Sequence, residues 1–406
     1  MTEIMLAVCV CVGLVALGEI ISYFTKAVIP SMAGALIIYL ILIWVGMPTS
    51  YPEAAGFTYL GDFVLLAIVG NLGTSVLPSD YAKNIKSLLI AVGAVVLALV
   101  LCIGVGGLIF GFDTMLAGAG ACCGGGAVAG IAAINKINAL GCIALLAVPT
   151  VIICAVDPIG QPIASFILKK YANKLRAQDA YLLEKVANKD KNEEIRLTKH
   201  GVPFGSEDNP SNKFTNFIPI KLEEDGVIIF ELSIAILLSC FMENLTTISS
   251  FVWVFLICLV ACTLGVFRMN LLDRSHSAGL CNVILIAYLF VSMNEITPQS
   301  LLESIGPVIA LIILSALGLS LGGGIVGKLL GYDFILSAAA GMGIFFLFPG
   351  VAIVSSEVSA RNSRNEEERN FMYQKIAPSM YIVANGGFVL ALGLTVTVLL
   401  PLLNNF

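Results

Sequence analysis

Three polar side chains stand inside long apolar runs of this chain: Asn71, Asp157 and Asn385. A carboxylate or amide in such a place is costly in hydrocarbon, and by default it marks a functional site. Asp157, followed by Pro158, is a candidate ligand for a sodium ion together with backbone carbonyls, or a candidate proton carrier. It also reads as the cap of a helix break. Asn71 and Asn385 are neutral candidates for the same cavity, although packing hydrogen bonds account for them as well. Two further clusters offer backbone in place of side chains. Cys123, Gly124, Gly125 and Gly126 lie in the run LAGAGACCGGGAVAG, and Phe348, Pro349 and Gly350 in FFLFPG. Glycine in a helix interior costs about 1 kcal/mol relative to alanine, so three in succession argue against a continuous helix. Helix N-termini at such breaks present N–H groups that suit a carboxylate, and glycine lets backbone approach a bound solute closely. Packing through small residues and an ordinary proline kink are the plainer readings of the two clusters.

The elements that position these groups are membrane helices. The chain has 406 residues, 58% hydrophobic and 12% charged, with a mean hydropathy of +0.96, against about 25% charged in an average globular domain. The net charge of −5 says less than the placement of the charges. The eleven cysteines lie in apolar runs, and the two histidines, His200 and His276, lie in polar connectors. Neither a disulfide framework nor a metal site is expected, and no cofactor.

A span needs about 20 apolar residues. Spans are predicted near Ile4–Phe24, Ile29–Val45, Tyr59–Leu77, Ser87–Phe110 and Leu140–Leu168, the last kinked at Pro158 and Pro162. The hydrophilic stretch from Tyr171 to Asp225 reads as a connector with a short amphipathic helix near Ala172–Val186. Spans then recur near Gly226–Phe241, Phe251–Val266, Leu280–Val291, Ile305–Val326 and Ile376–Leu400. The irregular segments Gly111–Lys136 and Gly331–Val358 occupy the same place in each half. They open on Gly111-Phe112-Asp113 and Gly331-Tyr332-Asp333, and both aspartates are expected to be helix N-caps. Glu19 and Asp62 fall near span ends and could reach water.

If each irregular segment is a re-entrant hairpin, each half has five spans and the halves insert in opposite directions. With the connector cytoplasmic, 21 of the 22 lysines and arginines fall inside and only Lys136 outside, as the bias of basic residues toward cytoplasmic links requires. The expected fold is therefore an all-α polytopic membrane protein of two inverted-topology repeats. Each repeat has five transmembrane helices plus a re-entrant hairpin: residues 1–170, a cytoplasmic connector 171–225, and residues 226–406. Both termini are expected outside. Such repeats place a solute site where broken helices meet near the midplane.

At these residues the chain resembles the bacterial sodium/glutamate symporter family. SFVWVFLICLVACTLG and LCNVILIAYLFVSM are similar to two spans of that family's second half, the tail IVANGGFVLALGLTVTVLLPLL resembles the family's in position and character, and IPSMAGALIIYLIL near Pro30 resembles its IPEPVAGGLL-type entry. Where the family's hairpins carry histidine-containing glycine runs, this chain has CCGGGAVAG and GMGIFFLFPG. The resemblance implies a five-plus-hairpin repeat, elevator-type movement, a homodimer in the bacterial inner membrane, and sodium-coupled uptake of a small carboxylate such as glutamate. The partners expected are that carboxylate, the bilayer and a second copy, with no nucleic acid. No ATP-binding GxxxxGK[ST] run occurs, and no paired acids, HExxH or serine–lysine arrangement suggests an enzyme. A passive channel and a transporter-derived sensor or scaffold are the alternatives.

Overall fold

The computed structural model describes residues 2–24, 31–74, 84–178, 224–246, 248–294 and 296–403. Every regular element among them is a helix. In chain order the main ones are α1 (Thr2–Phe24), α2 (Ser31–Val45), α3 (Phe57–Thr74), α4 (Ile85–Phe110), α5 (Phe112–Gly120), α6 (Gly126–Leu140) and α7 (Ala147–Ala177). After the connector come α8 (Asp225–Leu245), α9 (Ser250–Leu264), α10 (Ala278–Met293), α11 (Pro298–Leu329), α12 (Phe334–Gly343), α13 (Leu347–Asn362) and α14 (Glu366–Leu402). The amphipathic helix expected near Ala172–Val186 falls mostly outside the described residues, although α7 itself runs on to Ala177.

Local sequence sets the ends. Ser249 accepts from the Phe251 N–H to start α9, and Gly265, at φ 77°, ends it in the left-handed region. Thr297 and Ser300 form a reciprocal capping box with Pro298 in the first turn of α11, where a missing N–H costs nothing. Asn365 caps α14, whose first turn carries Glu366, Glu367 and Glu368 at the positive end of the helix dipole.

Among the described residues, seven helical stretches are long and apolar enough to cross a bilayer, and α7, bent by 40° between Val156 and Ile159, is an eighth if its two parts count as one span. Large apolar side chains such as Leu17 and Ile20 of α1 and Phe230, Leu237 and Phe241 of α8 stay exposed, which suits a hydrocarbon surround and not water. The helices α2, α9 and α10, predicted as full spans, are only 15, 15 and 16 residues long. At 1.5 Å per residue they reach about 22–24 Å, short of a hydrocarbon core of about 30 Å.

One of the seven stretches, Phe112–Leu140, passes by length alone and does not run straight. A Cβ built on Gly130 would lie 3.4 Å from the Cβ of Ala121, whereas nine residues of straight helix span about 13.5 Å. The chain has doubled back between α5 and α6. The second segment does the same: a Cβ on Gly343 would meet Cγ2 of Val351 at 3.5 Å, eight residues on.

The helices pack as two groups. One holds α1, α2, α3, α8, α9 and α10. The other holds α4, α7, α11, α14 and the two helix–turn–helix segments α5–α6 and α12–α13. Its centre is the crossing of α4 and α11, where a Cβ on Gly318 would stand 2.3 Å from the Ala98 Cα. Only glycine allows that approach. The principal contacts between the groups are α7 on α2 and α10, α9 on α14, and α10 on α6.

Asp333 caps α12 as expected, accepting from the N–H groups of Ile335 and Leu336, and it also pairs with Lys174 at the end of α7. Asp113 does not cap α5. Gly111, at φ 92°, takes the N-cap place, and Asp113 sits in the first turn, where the helix dipole still favours its charge. Burial alone would raise the Asp333 carboxyl, but Lys174 and the two amides outweigh it and hold the group below the usual carboxylate range. A depressed folded-state pKa gives stability that is complete above the ordinary carboxylate value of about 4 and is lost as pH falls through the lower folded value. Asp333→Ala is expected to cost about 1 kcal/mol at neutral pH. The gap in thermal midpoint between variant and wild type should close below about pH 4; a gap that is constant down to pH 2 would contradict this role.

Candidate functional site

The tips of the two helix–turn–helix segments touch. Gly124 (φ 120°) and Gly126 (φ 52°) turn the chain between α5 and α6, backbone that residues with a Cβ adopt poorly. A Cβ on Gly124 would fall 2.2 Å from Cγ2 of Ile344, and one on Gly126 would lie 3.4 Å from Cδ1 of Leu347. Beside this contact lies a cavity of about 300 Å³, within the range of small-molecule sites. The second helix group contributes Gly125, Gly126, Ala127 and Val128 from the first tip, Phe345, Phe346 and Leu347 from the second, and Phe388 of α14. The first group contributes Asn71 at the end of α3, Asp273 in the short helical turn Leu271–Arg274, and Asn282 of α10. The cavity thus sits on the seam between the two groups.

No side chain caps α6 or α13. The Gly126 N–H donates back to the Ala121 carbonyl, while Ala127 and Val128, in the first turn of α6, have amides without a partner in the helix and line the cavity. At the second tip Leu347 is left-handed, at φ 50°.

Of the residues singled out from sequence, Gly125, Gly126 and Asn71 line the cavity. Gly124 forms the tip contact. Asn71 is also structural: its Oδ1 accepts from the Leu272 N–H at 2.9 Å, and so it holds the turn that carries Asp273. Cys123 does not face the cavity; it is fully buried, with Sγ 3.8 Å from that of Cys102 on α4. Asn385 is buried within α14 and does not line the cavity, whereas Phe388 one turn on does. The second break falls over residues 344–347, ahead of Phe348-Pro349-Gly350, which lie inside α13. The physical reason is that proline is tolerated in a first helical turn, where its missing N–H has no partner to lose. FPG therefore starts the helix and does not break it. Gly350 is buried against Phe346 and Gln161. The side chains of Phe348, Pro349 and Asp157 lie outside the described residues; the backbone at Asp157 stands at the bend of α7.

Sequence reasoning missed Asp273 and Asn282. Asp273 sits in LLDRSH between two apolar runs, where a lone acid reads as a solvated loop charge. Its side chain is open at the cavity mouth, yet the surrounding protein displaces enough water to raise its carboxyl above the ordinary value. Asp62, expected to reach water, is exposed, and it also accepts a 2.9 Å hydrogen bond from the Tyr288 hydroxyl, which in turn accepts from Nδ2 of Asn135 at 3.2 Å. This chain runs from α3 through α10 to α6 and bridges the two helix groups.

Neither a comparison with protein-family models nor a search of curated proteins returns a match.

Proposed function

We propose that the chain is a sodium-coupled secondary transporter of a small carboxylate, carried in a cavity that the second helix group moves past the first, in the manner of an elevator. The observation that carries the reading is the placing of that cavity: both doubled-back segments end in it, and it lies on the seam between the two groups. Irregular backbone at membrane depth is tolerated only when buried in protein or lining a cavity, and both tips meet that condition.

Sidedness supports the same reading. With the connector cytoplasmic, the charge-derived topology puts both partners of each of five long-range polar ties on one face. Lys174 with Asp333 and His276 with Asp225 fall inside. Asn135, Tyr288 and Asp62, Tyr39 with Asn294, and Trp44 with the Ile296 carbonyl fall outside. On that topology Asn71, Asp273 and Ala278 lie toward the cytoplasm, so the cavity opens inward. Two inverted repeats account for the matching order of elements in the two halves, in which α4 and α11 are counterparts that cross at the centre. The short helices α2, α9 and α10 count as spans if the bilayer thins around them. The bacterial inner membrane, both termini outside, and the homodimer belong to the same proposal.

Asp157, at the bend of α7, is the ion-coupling residue of this reading, with carbonyls at the bend completing the shell. Asp157→Asn is expected to abolish sodium-driven uptake in proteoliposomes while expression and insertion stay normal. Uptake that keeps its sodium dependence in that variant would remove Asp157 from the coupling site.

A further inference from the structure

The charge inventory of the cavity narrows what it can carry. Among the described residues it is lined by one carboxylate, Asp273, two side-chain amides, Asn71 and Asn282, and otherwise by apolar side chains and glycine backbone. No lysine, arginine or histidine of the described residues lines it. One anionic group has a place there, at the first-turn amides of Ala127 and Val128, where N–H groups and helix dipole both favour negative charge. A second anionic group has none among the described residues. It would lose its hydration without gaining a cation, in a cavity that already holds a carboxylate. A cationic group, in contrast, has Asp273. The remaining walls, contributed by Phe345, Phe346, Phe388, Ile68 and Leu285, fit an uncharged, apolar substituent.

We propose that the cavity takes a zwitterionic α-amino acid with a neutral, apolar side chain, its carboxylate on the α6 N-terminus and its ammonium on Asp273, in preference to a dicarboxylate. This rests on the transporter reading above and names its substrate class. Asp273 is a binding residue here and makes no bond. Because it is carried by the first helix group and the α6 amides by the second, the ammonium contact forms only in the inward-open arrangement and breaks as the groups slide.

The test is sodium-gradient uptake by the full chain in proteoliposomes, with labelled L-alanine, L-leucine, L-phenylalanine, L-glutamate and succinate, and with unlabelled 4-methylpentanoate, which is leucine without its amine, as competitor. Uptake of at least one neutral amino acid is expected. Glutamate, succinate and 4-methylpentanoate should compete at least about tenfold more weakly, the scale of one lost hydrogen bond to a charged group. Asp273→Asn should weaken L-leucine by about the same factor and should not weaken 4-methylpentanoate, while Asp273→Glu should retain the preference for the amine. Folding is checked by an unaltered thermal midpoint without solute. Glutamate or succinate competing as well as leucine, or an Asp273→Asn variant that still favours leucine over its des-amino analogue, would overturn the substrate class and leave the transporter reading standing. Uptake of no member of the panel would overturn both.

Discussion

Replacing Gly318 by leucine is expected to leave little folded protein. The α4–α11 crossing holds the second helix group together, and a Cβ at Gly318 would stand 2.3 Å from the Ala98 Cα and 2.7 Å from its nitrogen. These are backbone atoms, so no rotamer change relieves the clash. The two helices must part, and there is no slack one turn away, because a Cβ on Gly322 would stand only 2.4 Å from the Gly93 carbonyl oxygen. Overpacking a well-filled core costs about 1–3 kcal/mol where side chains can adjust, and that range is a lower bound here. The comparison is Gly13→Ala on α1. Nothing lies within 4 Å of a Cβ there, and alanine is the better helix former by about 1 kcal/mol. Gly318→Leu should be lost to aggregation on detergent extraction, and Gly13→Ala should match wild type or exceed it. A monodisperse Gly318→Leu protein with a wild-type thermal midpoint would show that the two helices do not cross at this point.

The second large effect is functional. Ala127→Phe should reduce uptake to background with the protein still folded. Ala127 is partly exposed on the cavity wall, in the first turn of α6, so a phenyl ring there would fill the space that the proposed solute needs and cover the amides beneath it. Gly125 is a less informative position for the same purpose. A Cβ on it would lie 2.2 Å from the Ala129 Cβ and 2.9 Å from the Gly120 carbonyl oxygen, so any substitution there strains the turn before it reaches the cavity. Ala127→Ser, which adds one hydroxyl, should keep measurable uptake. Full uptake by Ala127→Phe would place the solute path elsewhere.

Much of the fold was legible because hydrophobic run length and glycine are strong local signals. The run containing Gly124 and Gly126 announced a break, and the break fell there, since positive φ is a property of the residue itself. The second break was misplaced by three or four residues for a related reason. Proline signals a helix boundary without saying which side of it the helix lies on, and Pro349 proved to be in a first turn. The helices α2, α9 and α10 were drawn as ordinary spans because hydropathy reports apolar character and not where caps such as Ser249 and Gly265 cut the helix short. The cavity was half legible. Gly125, Gly126 and Asn71 could be found from their oddness within apolar runs. Asp273 and Asn282 could not, because a polar residue near a loop becomes a cavity wall only when packing brings a distant element opposite it. Asn385 shows the converse: an amide conspicuous in an apolar run that the packing buries away from the cavity.

The most direct test of the account is sodium-driven accumulation by the wild-type chain and by Ala127→Phe, side by side in proteoliposomes with an inward sodium gradient. The account predicts that the wild type concentrates a neutral amino acid above its external level for as long as the gradient lasts, and that a sodium ionophore or Ala127→Phe abolishes this. Passive equilibration at the same rate with and without the gradient, or accumulation untouched by a phenyl ring in the cavity, would contradict it.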